Sequence, residues 1–141
     1  MEDLYLTKEE AISYHRKMWN WIADRLEDHN GTKKDIFQYK EKYIEKNFPD
    51  KFVYNHCFCC QYAKQQVDDD IRNFCIYCPL LWGTESETDG FFCEQGNYDI
   101  PIEDLSLFDY GLWIYADKLA KNGYHSEAAE IARQIANLPE R

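Results

Sequence analysis

The centre of the chain decides the fold, and residues 57–82 read CFCCQYAKQQVDDDIRNFCIYCPLLW. Two pairs of cysteines, each with a two-residue spacer, are separated by 14 residues in this stretch. A two-residue spacer lets a tight turn direct both sulfurs at one ion, and the connecting loop brings the second pair opposite the first. The pattern therefore predicts one structural zinc ion with four thiolate ligands: Cys57, Cys60, Cys75 and Cys78.

Three further side chains near these pairs are alternate ligands: Cys59, Cys93 and His56. All six cysteines lie between residues 57 and 93, and the first residues lack a basic segment followed by an apolar one. A disulfide scaffold of a secreted protein is therefore disfavoured, and a reducing cytoplasm is the expected location. An iron–sulfur cluster on the same four thiolates, or buried and disulfide-capable cysteines without metal, are the alternatives.

The N-terminal flank, residues 7–50, predicts two amphipathic helices. The first begins at a capping box of Thr7 and Glu10, and its apolar residues recur at helical spacing until Asn30 and the glycine after it. Aromatic residues on its other sides suggest that neighbours cover two of its faces. His15 lies on its apolar face, so we expect a core histidine there rather than a ligand.

The second predicted helix opens at Thr32 with Asp35 and ends before Pro49. Its outer face is expected to be basic. The positions that keep the helical period are Ile36, Phe37, Lys40, Tyr43, Ile44 and Phe48.

The C-terminal flank, residues 105–141, predicts two more helices. The first of them ends at Asn122 and Gly123, and Ser126 is the expected N-cap of the second, which ends before Pro139. A connection of three or four residues favours an antiparallel hairpin. Small side chains are expected to pack closely across this hairpin: Ala128, Ala132 and Ala136.

The residues between the flanks, 51–104, lack helical periodicity and predict knuckles and loops in which metal replaces a hydrophobic core. They contain 3 basic and 10 acidic residues, a net charge of −7 out of −10 for the whole chain. Residues 1–141 are thus predicted to form a single, mainly α domain. About four helices, two N-terminal and two in a C-terminal hairpin, surround a zinc-knuckle insert with four cysteine ligands and little β structure.

Charge and motifs exclude several classes of function. The net charge of −10 disfavours duplex nucleic acid as a partner, and no apolar run approaches the length of a membrane span. Four thiolates leave no open position on zinc, and the common motifs of zinc hydrolases and deaminases are absent, so we expect a protein without enzymatic activity. The alternative is an enzyme in which Cys93 or His56 replaces one thiolate and water occupies the open position.

Three motifs resemble those of a family of small zinc-knuckle proteins that tailed bacteriophages of low-GC Gram-positive hosts encode. They are Cys57-Phe-Cys-Cys60-Gln-Tyr-Ala, Cys75-Ile-Tyr-Cys78-Pro-Leu-Leu-Trp82-Gly and the terminal Ile-Ala-Asn-Leu-Pro. The resemblance covers most of residues 7–141 and implies an early or accessory phage product in the bacterial cytoplasm. By analogy with small acidic phage proteins, it implies binding to a host protein with a basic surface, such as a defence effector or nuclease, which is then inhibited or redirected.

The acidic insert is the predicted contact surface for this host protein. Its carboxylates would supply the electrostatic attraction, and two adjacent phenylalanines would be anchors. The residues are Asp68, Asp69, Asp70, Glu85, Glu87, Asp89, Phe91 and Phe92. The simpler interpretation of the same acids is a solvated loop. A virion or assembly component is a further alternative, for which stable oligomerisation would be the sign; the sequence leaves the oligomeric state open.

Overall fold

The computed structural model describes residues 2–28, 35–67, 77–81 and 112–140. Within these ranges the chain forms five α-helices and two short strands. The strands are β1 (Glu2–Asp3) and β2 (Lys51–Phe52), and the helices are α1 (Lys8–Asp28), α2 (Ile36–Asn47), α3 (Phe58–Gln65), α4 (Leu112–Lys121) and α5 (His125–Ala136). The fold is mainly α with little β structure, as the sequence predicts.

Helix α1 is the central element, and its start follows the predicted capping box. The Thr7 N–H donates to Glu10 Oε1 (3.0 Å), and the Glu10 N–H donates to Thr7 Oγ1 (3.1 Å). Its periodic apolar side chains are buried: Ile12, Met18, Ile22 and Leu26. Because α5, α3 and α2 all pack against it, α1 is covered on more than one face.

The start of helix α2 includes one of the two predicted opening residues, Asp35. Asp35 is its N-cap: Asp35 accepts a hydrogen bond from the Gln38 N–H (2.8 Å), and the Gln38 side chain accepts one from the Asp35 N–H (3.3 Å). The capping box is therefore Asp35 with Gln38, and Thr32, the other residue of the predicted opening, lies outside the described residues. A second carboxylate, that of Asp117 on α4, accepts the Ile36 N–H (2.9 Å). Two carboxylates thus accept hydrogen bonds from backbone N–H groups at the N-terminal end of α2, which is the positive end of the helix dipole.

The hairpin of α4 and α5 turns at Gly123. The Tyr124 N–H bonds to the Leu119 carbonyl (2.9 Å) and the Gly123 N–H to the Ala120 carbonyl (3.2 Å), the two bonds of a Schellman motif. Gly123 has φ +85°, which a residue without Cβ adopts readily. Because α5 starts at His125, directly after this turn, the prediction of Ser126 as its N-cap was wrong.

Helix α5 packs more extensively on α1 than on its hairpin partner α4. The three alanines predicted to face the hairpin are fully buried, together with Ala129. Small side chains let α5 lie close to both neighbours, so the hairpin is one part of a three-helix packing unit. Two side chains of α1 also bond the end of α5: His15 Nε2 donates to the Ile135 carbonyl (2.8 Å), and Arg16 Nη2 to the Leu138 carbonyl (3.2 Å).

Helix α3 corrects the prediction that residues 51–104 hold only knuckles and loops. Its Phe58 is fully buried and packs against the rings of Tyr14 and Phe48, with ring centres 5.5 and 5.6 Å away. The first cysteine pair therefore belongs to a helix that contributes to the hydrophobic core. In this part of the chain aromatic side chains fill the core.

Two tethers join distant parts of the chain. Strands β1 and β2 pair in parallel, with Glu2 opposite Lys51. The segment 77–81 meets the C-terminal end: Leu80 forms an antiparallel bridge with Glu140, and the Leu81 N–H donates to the Pro139 carbonyl (2.8 Å). No described helix has the length and apolar character needed to cross a membrane.

Candidate metal centre

The first cysteine pair lies at the N-terminal end of α3. Cys57 is the N-cap, and its Sγ accepts a hydrogen bond from the Cys60 N–H (3.3 Å). The Cys57 carbonyl accepts the first helical hydrogen bond, from the Gln61 N–H (2.9 Å). Cys57 thus replaces the usual Ser, Thr, Asp or Asn cap with a sulfur, and the cap bond fixes that sulfur beside Cys60.

A short, strained turn, Tyr54–His56, precedes Cys57 and sets its direction. Asn55 and His56 both have positive φ angles, 55° and 50°. Asn and His tolerate this left-handed conformation better than most residues with a side chain, but such residues usually occur singly, so neighbouring contacts must hold two in succession. The turn is closed by the Cys57 N–H, which donates to the Tyr54 carbonyl (3.0 Å).

Contacts from two helices hold the turn. From α3, the buried Gln61 accepts the Tyr54 N–H at Oε1 (2.9 Å), and the Nζ of Lys64 lies 4.3 Å from the centre of the Tyr54 ring. From α2, Lys40 Nζ donates to the Asn55 carbonyl (3.3 Å). The His56 ring packs edge-on against Phe37 of α2, with ring centres 4.7 Å apart. The backbone that leads into Cys57 is therefore determined by tertiary structure.

Burial separates the four described cysteines into two groups. Cys57, Cys60 and Cys78 keep 7–8% of their surface exposed, whereas Cys59 keeps 1%. The side chain of Cys59 is among the most deeply buried in the core, because it lies on the inner side of α3. This difference favours Cys57 and Cys60 over the alternate ligand Cys59.

Cys78 lies in the segment that is tied to the C-terminal end. Pro79 and Leu80 follow it, and Leu80 is fully buried. The backbone bonds of this segment to Pro139 and Glu140 join two of the motifs on which the phage resemblance rests. The position of Cys78 is thus determined by residues about 60 positions further along the chain.

The described residues bring two of the predicted ligands together, Cys57 and Cys60. Within the described ranges, no group of three or more His, Cys, Asp or Glu side chains is arranged to hold a metal ion. The predicted ligand Cys75 and the alternate Cys93 lie outside the described residues. So do all the predicted partner-binding residues: Asp68, Asp69, Asp70, Glu85, Glu87, Asp89, Phe91 and Phe92.

The environment of Cys57 favours its thiolate form. A hydrogen bond with the Cys60 side chain lowers the pKa of Cys57 to about 6, although burial acts in the opposite direction. The positive charge of Lys40 and the N–H groups of Cys59 and Cys60 lower it further. The thiolate is the form of cysteine that binds metal ions and that reacts as a nucleophile.

His56 is a weaker candidate ligand than the cysteines. Burial lowers its pKa, and Lys40 adds to this effect, so its imidazole is neutral at pH 7 and chemically able to bind metal. Its ring, however, is already packed against Phe37. The structure thus places His56 in contact with α2.

One buried charged side chain, Lys40, was not recognised in the sequence as a residue near the candidate site. Lys40 lies on the apolar period of α2, as the sequence predicts, and it is 4% exposed. Its Nζ lies 4.5 Å from the centre of the Trp113 ring and 5.8 Å from that of Trp19. The sequence signal was a lysine at an apolar position of a helix. In the same helix Phe37, also assigned to the period, is 42% exposed.

Comparisons of the chain with protein-family models, with curated proteins and with solved structures found no match. The resemblance to phage zinc-knuckle proteins therefore stays a prediction that rests on the three quoted motifs.

Proposed function

We propose that the chain is a zinc-binding interaction protein without enzymatic activity, in which one structural zinc ion is held by Cys57, Cys60, Cys75 and Cys78. The observation that carries the proposal is the cap of α3, where Cys57 Sγ accepts the Cys60 N–H and the two sulfurs share one end of a helix. An N–H donor to a thiolate spreads its charge, which supports a centre with several negative sulfurs.

The zinc is proposed to be structural because the alternate ligands are poorly suited to an open site. An open site needs three protein ligands and a water molecule. Cys59 is buried in the core, and the ring of His56 is in contact with Phe37. The remaining alternate, Cys93, has only sequence proximity in its favour. A closed shell of four thiolates fits the cysteine spacing better.

We further propose that the partner is a host protein with a basic surface, bound through the acidic insert, and that the chain is an accessory phage product that inhibits or redirects it. The support is the concentration of charge, since residues 51–104 carry a net charge of −7. Carboxylates that face a basic surface increase the rate of association and make binding sensitive to salt.

Metal content in single variants tests the ligand assignment. Purified wild-type chain is expected to contain one zinc ion, and Cys→Ser changes at each of the four proposed ligands should lower the zinc content or affinity strongly. The matched controls are Cys59→Ser and Cys93→Ser, which should keep one zinc ion per chain. Native mass spectrometry gives the stoichiometry directly. Zinc loss in a control variant, with retention in a ligand variant, would contradict the proposed ligand set.

Charge reversal tests the proposed contact surface. The three aspartates 68–70 are changed to lysine, and the matched control carries the same change in three exposed acids outside the run: Glu9, Asp50 and Glu130. Retention of host proteins from a Gram-positive lysate is compared at low and high salt. We expect the insert variant to lose the salt-sensitive partner and the control to keep it. If both variants retain the partner equally, the acidic insert is not the contact surface.

A further inference from the structure

Lys40 is a buried cation whose charge the described residues do not balance. Its side chain is 4% exposed, and among the residues that the structure describes it forms no ion pair with a carboxylate. Its contacts are the Asn55 carbonyl and the faces of Trp113 and Trp19. A carbonyl and two aromatic rings solvate an ammonium group, but they carry no net charge.

The hydrogen bond to Asn55 links this cation to the cysteine pair. Asn55 lies two residues before Cys57, in the strained turn that leads into the cap of α3. The hydrogen bond therefore places the positive charge of Lys40 beside the backbone that leads into the first cysteine pair.

A zinc ion with four thiolates has a net charge of about −2, and a centre of this kind at the edge of a core needs nearby positive charge. We propose that Lys40 is the counter-cation of the metal centre, held by Trp113, Trp19 and Asn55 at a position where it stabilises the zinc–thiolate charge. This inference rests on the proposed zinc site. It makes Lys40 a positioning residue: it binds no metal itself, and it raises the affinity of the cysteines for zinc.

The test is the dissociation constant for zinc, measured with zinc and a competing chromophoric chelator on the full chain. Lys40→Met keeps the volume and removes the charge, so it should weaken zinc binding about tenfold, the lower end of the effect of residues that support metal ligands. Lys40→Arg keeps the charge and should stay within about threefold of wild type. Should Lys40→Met fail to fold, Lys40→Gln takes its place with the same expected loss.

Lys42→Met is the matched control. Lys42 lies on the same helix as Lys40, but it is exposed, so water already screens its charge. Its removal should leave zinc affinity within about threefold of wild type. Equal losses in Lys40→Met and Lys42→Met would show that only the net charge matters, and equal losses in Lys40→Met and Lys40→Arg would show that only the packing matters. Either result overturns the role of Lys40.

The outcomes also separate this inference from the proposed function. A wild-type chain that binds zinc, with an unchanged dissociation constant in Lys40→Met, overturns the counter-cation alone. A wild-type chain that binds no zinc overturns the proposed metal site and the counter-cation with it. A selective loss in the uncharged Lys40 variant, rescued by arginine, supports both.

Discussion

At the scale of a residue, His15 shows how burial in the core changes the pKa of a side chain. Its ring is fully buried on α1 and donates a hydrogen bond from Nε2 to the Ile135 carbonyl. Burial lowers the pKa of His15 to about 4; the bond to Ile135 opposes this effect, and the charge of Lys40 adds to it. The sequence predicted a core histidine from its place on an apolar helix face, and that prediction is confirmed.

The pKa of His15 predicts a loss of stability in acid. The unfolded chain binds a proton near pH 6.5, whereas the folded chain binds it only near pH 4. The shifted pKa of His15 therefore contributes about 3 kcal/mol to the free energy of unfolding. This contribution is fully present above pH 6.5 and is lost as the pH falls towards 4.

Urea unfolding of wild type and His15→Gln, between pH 7.5 and 4.5 at one zinc concentration, measures this contribution. Glutamine can donate to the Ile135 carbonyl but does not titrate. The variant should be less stable at pH 7.5, and the difference between the two proteins should shrink towards pH 4.5. A difference that stays constant with pH would show that His15 does not titrate as its burial implies.

At the scale of elements, the sequence predicted a helix end correctly only where a whole capping motif, and not a single cap-type residue, was present. The capping box of Thr7 and Glu10 and the stop at Gly123 both form hydrogen bonds between residues close in sequence. Ser126 has the residue type of a cap, but the Schellman turn before it fixes the start of α5 two residues earlier, with Tyr124 at the N-cap. Residue type alone could not identify that start.

The sequence analysis did not predict helix α3, and the reason is physical. It has only eight residues, about two turns, and its apolar face includes the cysteines that the spacing had assigned to metal. Its stability comes from tertiary packing: Phe58 lies among aromatic rings from α1 and from the end of α2. A pattern of this length does not distinguish a helix from a knuckle.

A tether between α3 and the N-terminal segment gives a prediction at this scale. Gln65 accepts the Leu6 N–H (3.0 Å) and donates to the Leu6 carbonyl (2.9 Å). One side chain thus satisfies both backbone hydrogen-bonding groups of Leu6. Gln65→Ala should lower the free energy of unfolding by about 1–2 kcal/mol. The control is Gln66→Ala, since Gln66 is exposed and makes one longer bond within its own helix (3.4 Å).

Chemical denaturation of the two variants checks this prediction, with the control expected within about 0.5 kcal/mol of wild type. Gln65→Glu keeps the acceptor and loses the donor, so its effect should be intermediate. Equal effects of Gln65→Ala and Gln66→Ala would mean that the tether to Leu6 adds nothing to stability.

At the scale of the whole molecule, the sequence predicted a mainly α fold because most helices follow long, periodic patterns. It could not predict the environment of Lys40, because Trp113 is 73 positions away in sequence and only the packing of α2 against α4 brings the two together. The same limit applies to the contact between Leu81 and Pro139. The cysteine pair was visible in the sequence; the groups that support it were not.

Zinc removal gives a prediction for the whole chain. Metal binding to a folded site stabilises the folded state, so chelation should lower the melting temperature by roughly 10 °C or more. Addition of zinc, but not of magnesium, should restore it, because thiolates prefer the softer ion. Thermal unfolding followed by circular dichroism measures the change, and an unchanged melting temperature after complete zinc removal would contradict a structural metal.

X-ray absorption at the zinc edge on the native full chain tests the central claim most directly, since it identifies the atoms bound to the metal. Four sulfur ligands at about 2.3 Å are predicted. A shell that includes a nitrogen or oxygen atom would point to His56 or water and to an open, catalytic site, and a native chain without bound zinc would contradict the metal centre altogether.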